Sequence, residues 1–298
     1  MPRRNSSALA ARQGSGAETL DALERQSQVE EISGWDTGFA NLSRALDGLM
    51  PGLYLLIGAP ASGKTSFSKQ LLDQVAQHNH QPGIFFTVSE SLSELRIKTL
   101  ARLSGMENRE IRRGSAYLLH WYGIPKAHHV SADELAPSWE KLRRCSEEAK
   151  IWLDQIYLVK CERNTTLKEI ETQIGQIDGL PFVIIDDCQR LGDASQSLAA
   201  RMPIVVEQLQ ALAVNLQLPL LTVWPDLSSN GQTPPHTWAE KVASADVIMV
   251  MEKDQGGTNQ PTEPNQALTL HIVKNRGGEK GKLTFEFQPA FSRFVEAN

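Results

Sequence analysis

The chain has 298 residues, 41% of them hydrophobic and 22% charged, with a net charge of −5. That is enough chain for one large domain or two small ones, and the acidic balance argues against a protein coated with nucleic acid, leaving room only for a local basic groove. Cys145, Cys161 and Cys188 have neither metal-ligand spacing nor a disulfide framework, which points to a reducing, cytoplasmic setting.

Residues 1–17 are small and polar, and a disordered tail is expected there. No apolar run of membrane-spanning length follows, and Arg3-Arg4 lacks the apolar core of a secretory signal. Leu20, Leu23, Val29 and Ile32 suit a short, weakly amphipathic helix, either a packing arm for a neighbouring subunit or a solvated lead-in. Residues 1–33 are therefore set apart from a folded domain over 34–298. Gly34 to Phe39 and the turn at Pro51-Gly52 frame a short helix. Leu53 to Ile57 is an apolar run of strand type, and Ser66 to Asn79 carries Phe67, Leu71, Leu72 and Val75 at helical spacing.

Ile84 to Val88 predicts a second buried strand ending at Ser89-Glu90. Ser91-x-x-Glu94 reads as a capping box for a helix that points Leu92, Leu95 and Leu103 inward and stops at Gly105. Residues 106–130 read as irregular; His120, His128 and His129, near Trp121, lack ligand spacing and are taken as surface residues. Ser131 or Asp133 caps a helix to about Leu153. Ile156 to Val159 is a third strand, and Thr166-x-x-Glu169 caps a helix that stops near Gly179.

Phe182 to Asp187 is a fourth strand ending in acids. Pro203 suits the first turn of a helix bearing Val206, Leu209, Leu212 and Leu216. Leu220 to Trp224 is a fifth strand, followed by a Ser/Gly/Pro-rich loop from Asp226 to Pro235. Val247 to Met251, Leu268 to Val273 and Lys282 to Phe287 complete the sheet, with Lys274 to Gly278 as an exposed hairpin tip. The alternation predicts an α/β fold: a mostly parallel sheet with helices on both faces and an antiparallel C-terminal hairpin.

The stretch Gly58-Ala59-Pro60-Ala61-Ser62-Gly63-Lys64-Thr65 fits the phosphate-loop pattern G-x-x-x-x-G-K-[ST] at every fixed position, between a strand and a helix as the pattern requires. Glycines permit the tight turn that aims backbone N–H groups at phosphate oxygens. The helix N-terminus adds its dipole, and Lys64 adds a mobile positive charge. Residues 58–66, Ser66 included, are thus the candidate nucleotide-binding set. Thr65 and, through water, Asp186 are the candidate magnesium ligands. Glu90 ends the neighbouring strand, where it is either a base that orients an attacking water or an ordinary strand-end acid, with Asp187 the next candidate base.

With these residues in place, Thr37 to the C-terminus resembles the RecA-type ATPase domain of DnaB-type hexameric helicases and, more loosely, KaiC-type ATPases. The matching pieces are Thr37-Gly38-Phe39, the phosphate loop, Ser89-Glu90, Ile184-Ile185-Asp186 with Gln189, Ala245-Asp246-Val247 and Lys274-Asn275-Arg276-x-Gly278. The resemblance implies ATP and Mg²⁺ as cofactors and a homo-oligomeric ring, a hexamer. Lys274 and Arg276 would then reach the γ-phosphate held by the next subunit. It also implies single-stranded DNA as a partner, and the acidic balance with few basic residues in the central loops predicts that such binding is weak. The departures are as specific. Pro225-Asp226 stands where the family has Ser-Gln, and His236-Thr237-Trp238-Ala239 falls where it has a basic DNA-contacting loop. The other central loop, Gly192 to Met202, offers only Arg201, with Arg190 just before it. Trp238 is the residue on which a base could stack.

Overall fold

The computed structural model describes residues 32–113, 132–190, 198–226, 233–253 and 265–297. The chain divides into Met1–Ile32 and Ser33–Asn298. The expected tail and its helix, and His120, Trp121, His128 and His129, lie outside the described residues.

Runs that are apolar throughout become the middle of the sheet. β1 (Gly52–Gly58), β2 (Gly83–Thr87), β3 (Ile156–Lys160), β4 (Phe182–Asp186), β5 (Pro219–Pro225) and β6 (Val247–Lys253) are parallel, in the order β3-β2-β4-β5-β1-β6. β1, β2 and β4 are buried at every position because helices cover both faces. The pattern then turns to alternation, and so does the pairing. β7 (Gln266–Asn275), β8 (Gly281–Gln288) and β9 (Arg293–Glu296) continue the sheet antiparallel from β6. Along β7 and β8, Leu268, Leu270, Ile272, Phe285 and Phe287 all point to one face and are buried.

On that face lie α1 (Ala40–Leu46), α2 (Lys64–Asn79) and α3 (Leu92–Ser104), with α4 (Asn108–Arg113) and α5 (Ala132–Glu148) packed on α3, and α6 (Lys150–Leu153). Phe39, Phe67, Leu71, Leu95 and Trp152 fill this core. The opposite face is closed by α7 (Leu167–Ile174), α8 (Leu198–Leu216) and α9 (Trp238–Lys241), through Ile170, Leu209 and Trp238. β1 serves both cores by its pleat, Tyr54 and Leu56 to one side and Leu53, Leu55 and Ile57 to the other.

Several boundaries differ from the sequence expectation. Pro203 lies inside α8, which begins at Leu198. The long helix expected to Leu153 breaks between α5 and α6, and α7 stops at Ile174 rather than near Gly179. Thr166 and Glu169 make both halves of a capping box. Ser91 makes one half only, accepting from the Glu94 N–H at 3.1 Å, while the Glu94 carboxylate goes to Arg112. α4 and β9 have no counterpart in the sequence expectation. Among the described residues no helix is long and apolar enough to cross a membrane.

Candidate nucleotide site

The phosphate loop leaves the C-terminal end of β1 and enters α2 at Lys64, as its sequence requires. Gly63 is the N-cap, with φ of 93°, and no side chain caps the helix, so the N–H groups of the first turn remain available to an anion. A side chain at Gly63 would also press on Phe294 and Phe287, whose rings lie 3.0 and 3.1 Å from where its Cβ would be. Gly58 is required for a different reason: its Cβ would sit 2.9 Å from the Met251 carbonyl. The β9 strand secures the helix behind the loop. Gln70 donates to the Phe294 carbonyl at 2.9 Å and accepts from the Phe294 N–H at 2.7 Å.

A cleft of about 660 Å³ opens over the loop, walled by residues 60–66, Asp186, Asp187, Gln189, Val223, Pro225 and Phe287. Gly58 and Ala59 are not in its wall; their carbonyls accept from Lys64 Nζ at 2.9 and 2.7 Å. Burial lowers the Lys64 pKa, and the carboxylates of Asp186, Asp187 and Asp226 oppose that shift.

Asp186 ends β4 in the middle of the sheet. Its Oδ2 accepts from the Thr65 hydroxyl at 2.9 Å, and its Oδ1 is buried without a hydrogen-bond partner among the described residues. Burial, reinforced by the charge of Asp187, pushes its pKa up to about 7. A buried, unsatisfied carboxylate oxygen beside a hydroxyl is a donor set that fits magnesium, a hard cation that takes oxygen ligands and retains waters. Asp187, with φ of 60°, accepts from Ser89 Oγ and from Gln189 Nε2, the latter at 3.0 Å.

Glu90 stands beside this group but not in the cleft wall. Its carboxylate is near enough to help raise Asp186, and its Oε1 lies 3.5 Å from Lys98 Nζ. Lys98 and Phe287 have no role in the sequence reading. Lys98 stands on the helix Leu92–Ser104, which Glu90 precedes, so no local spacing rule flags the pair.

Lys274 and Arg276 lie at the other end of the sheet. Asn275 pairs with Val247, which pairs with Tyr54, and the Arg276 N–H donates to the Asp246 carbonyl at 3.0 Å. Arg276 Nη1 is 2.7 Å from Asp246 Oδ1, while Asp246 Oδ2 accepts from the Leu53 N–H at 2.9 Å. Leu53 and Gly58 are five residues apart on β1, or about 16 Å of strand. Lys274 Nζ donates to the Ala243 carbonyl, so both cations reach the segment before β6. Lys274 and Asn275 are the last residues of β7, and the hairpin turn begins only at Arg276.

The expected DNA-facing residues fare differently. Trp238 is buried, with the Lys241 ammonium 4.6 Å from its ring centre, so it offers no face to a base. Arg201 is helical and buried, and the Arg190 side chain lies outside the described residues.

The DnaB-like helicase C-terminal domain family matches residues 34–230. The replicative DNA helicase DnaB of Haemophilus influenzae is 23% identical over 293 residues, covering 93% of this chain and 58% of that protein. The chain thus spans about three-fifths of the length of the curated relatives it matches. Among solved structures, a DnaB-like replicative helicase described with its interactions with primase has a TM-score of 0.74 at 16% identity, over 95% of this chain and 68% of that one. A KaiC-like protein from Pyrococcus horikoshii has a TM-score of 0.57 at 16% identity, over 88% and 98%. These neighbours share the RecA-like fold, and with the family match over 34–230 the chain belongs to the DnaB-like helicase C-terminal domain family.

Proposed function

We propose that this chain is a magnesium-dependent ATP hydrolase of helicase type that works as a ring, a hexamer, and moves along single-stranded DNA. The observation that carries the ATPase reading is the pairing of an uncapped phosphate-loop helix with the Thr65–Asp186 contact in one cleft. The backbone N–H groups of residues 60–66 and the Lys64 ammonium would hold the phosphates. Thr65 and Asp186 would hold magnesium, which neutralises charge developing on the outer phosphate oxygens. Glu90 would orient and deprotonate the attacking water. Since Arg276 stands at the far end of the sheet from its own loop, its service to a γ-phosphate would be in the next subunit. Glu90→Gln should bind ATP normally and lose at least about tenfold in turnover; a smaller loss moves the base to Asp187, which lines the cleft.

The second reading is a regulatory or assembly ATPase of KaiC-like type whose nucleotide state controls a partner. The burial of Trp238 and Arg201 favours it. Fluorescence polarisation with single-stranded DNA, with and without an ATP analogue, separates the two. A translocase of this composition should bind weakly, with a log–log salt slope no steeper than about −3 per subunit, at about −0.7 per phosphate neutralised. No nucleotide-dependent binding would favour the second reading.

A further inference from the structure

We propose that Lys98 is a positioning residue that parks the Glu90 carboxylate outside the nucleotide cleft, so that hydrolysis waits on the opening of this pair. The inference rests on Glu90 being the water-orienting residue. Three observations carry it.

Glu90 Oε1 lies 3.5 Å from Lys98 Nζ, and both side chains are largely covered, at 27% and 17% exposure. Of the other cations nearby, Arg112 is already held by Glu94 through two bonds of 2.7 and 2.5 Å, and the Lys160 ammonium is taken up by the Val88 and Glu90 carbonyls. The carboxylate is therefore turned toward α3, whereas Asp186 and Asp187 line the cleft and Glu90 does not.

Neither partner can drift as a whole. The Glu90 N–H donates to Thr87 Oγ1 at 3.0 Å, and its carbonyl accepts from Lys160 Nζ at 2.9 Å. Next to Lys98, Thr99 is buried: its hydroxyl donates to Asp73 Oδ2 at 2.7 Å and accepts from Lys69 Nζ at 2.7 Å. Arg102, one turn on, reaches the same Asp73 oxygen. This buried group fastens α3 to α2, the helix that begins at the phosphate loop.

With both backbones fixed, the Glu90 side chain is what moves. Rotation about its own bonds can carry the carboxylate from Lys98 toward the Asp186–Asp187 side, where its charge is already felt. Held on Lys98, it leaves the cleft without a water-orienting base. The pair thus restrains idle turnover until the Glu90 side chain swings away from Lys98.

The test is steady-state ATP hydrolysis by the full chain with magnesium and without DNA. Lys98→Met should raise kcat about two- to fivefold, the range a partly exposed ion pair can hold back, with KM and nucleotide affinity within about twofold. Lys98→Gln should do the same, and Lys98→Arg, which restores a cation, should bring the rate back toward the parent. Lys98→Met combined with Glu90→Gln should be as slow as Glu90→Gln alone. An unchanged or lower kcat in both Lys98→Met and Lys98→Gln overturns the inference, as does acceleration that survives in the double variant. If Glu90→Gln alone turns over like the parent, the reading of Glu90 falls and this inference with it. If Glu90→Gln is dead and Lys98→Met is not faster, only the inference falls.

Discussion

The Thr65 hydroxyl donates to Asp186 Oδ2 at 2.9 Å across 121 residues of sequence. It is the one hydrogen bond that the Asp186 carboxylate makes among the described residues, and it leaves Oδ1 buried and unsatisfied. The carboxylate is consequently held in a state that suits a cation better than it suits the free protein. Its ordinary value of 3.8 rises to about 7 in the fold. Between those two values the unfolded chain has released the proton and the folded one retains it. Stability therefore falls as pH rises from about 4 to 7, and the whole penalty persists above 7.

Asp186→Asn should accordingly stabilise the protein in EDTA at about pH 8, by an amount on the order of a few kcal/mol, and do little near pH 4. With magnesium and ATP present the order should reverse, because the variant loses its share of the ion. Urea denaturation at the two pH values, with and without Mg-ATP, measures both. A pH-independent difference would contradict the account.

Lys64→Ala should fold as the parent does and lose its stabilisation by Mg-ATP. Among the described residues the ammonium donates only to the Gly58 and Ala59 carbonyls, at the edge of the cleft where water can replace it. Thermal unfolding with and without nucleotide decides the matter. Full stabilisation of the variant would remove this loop as the nucleotide site.

Arg276→Ala should bind ATP nearly normally and hydrolyse it 10³- to 10⁵-fold more slowly, about the worth of an arginine that reaches a neighbour's phosphate. Its partner Asp246 stays satisfied in part by the Leu53 N–H, so the fold should hold. Mixing two inactive proteins, Lys64→Ala and Arg276→Ala, under subunit exchange should restore activity. A mixture that stays inactive despite proven exchange argues against a shared site.

At about pH 8 one thiol of three should react quickly with a chromogenic disulfide reagent. Cys145 is half-buried, whereas Cys161 and Cys188 are buried. Burial raises both buried thiols, that of Cys188 to about 12, which leaves a thiolate fraction of about 10⁻⁴ at this pH. Three thiols titrating at one rate would show that the sheet opens readily around β4.

The parallel half of the fold was legible because its strands are apolar on both faces and its loop is a fixed pattern. β1, β2, β4 and β5 all fall within one or two residues of where their hydrophobic runs predicted. β9 was not legible, since Arg293–Glu296 carries a single buried apolar residue, Phe294, and is a strand only because β8 offers it an edge. Pro203 misled because a proline suits the first turn of a helix, yet α8 continues upstream of it to Leu198. Trp238 looked available because it follows a polar loop. Its burial comes from joining the apolar core on that face of the sheet, where its short helix meets β7, which no local pattern reveals. Asp186 was legible by position, but its pairing with Thr65 and the turn of Glu90 toward Lys98 depend on contacts between separate elements.

The bond between Gln70 and Phe294 spans 224 residues, and the same strand packs its aromatic ring behind Gly63. During synthesis the phosphate loop is therefore made early and braced late. At about 5–20 residues per second, about 10 to 45 s separate the emergence of Gln70 from that of Phe294. Until Phe285 emerges near the end of that interval, Phe67, which stacks against Phe39 and meets Phe285 and Phe294 edge-on, has only the first of those partners available. A ribosome stalled before β9 should hold a nascent chain whose loop sequence is complete but which gains little protease resistance from Mg-ATP, and release of the last strand should confer it.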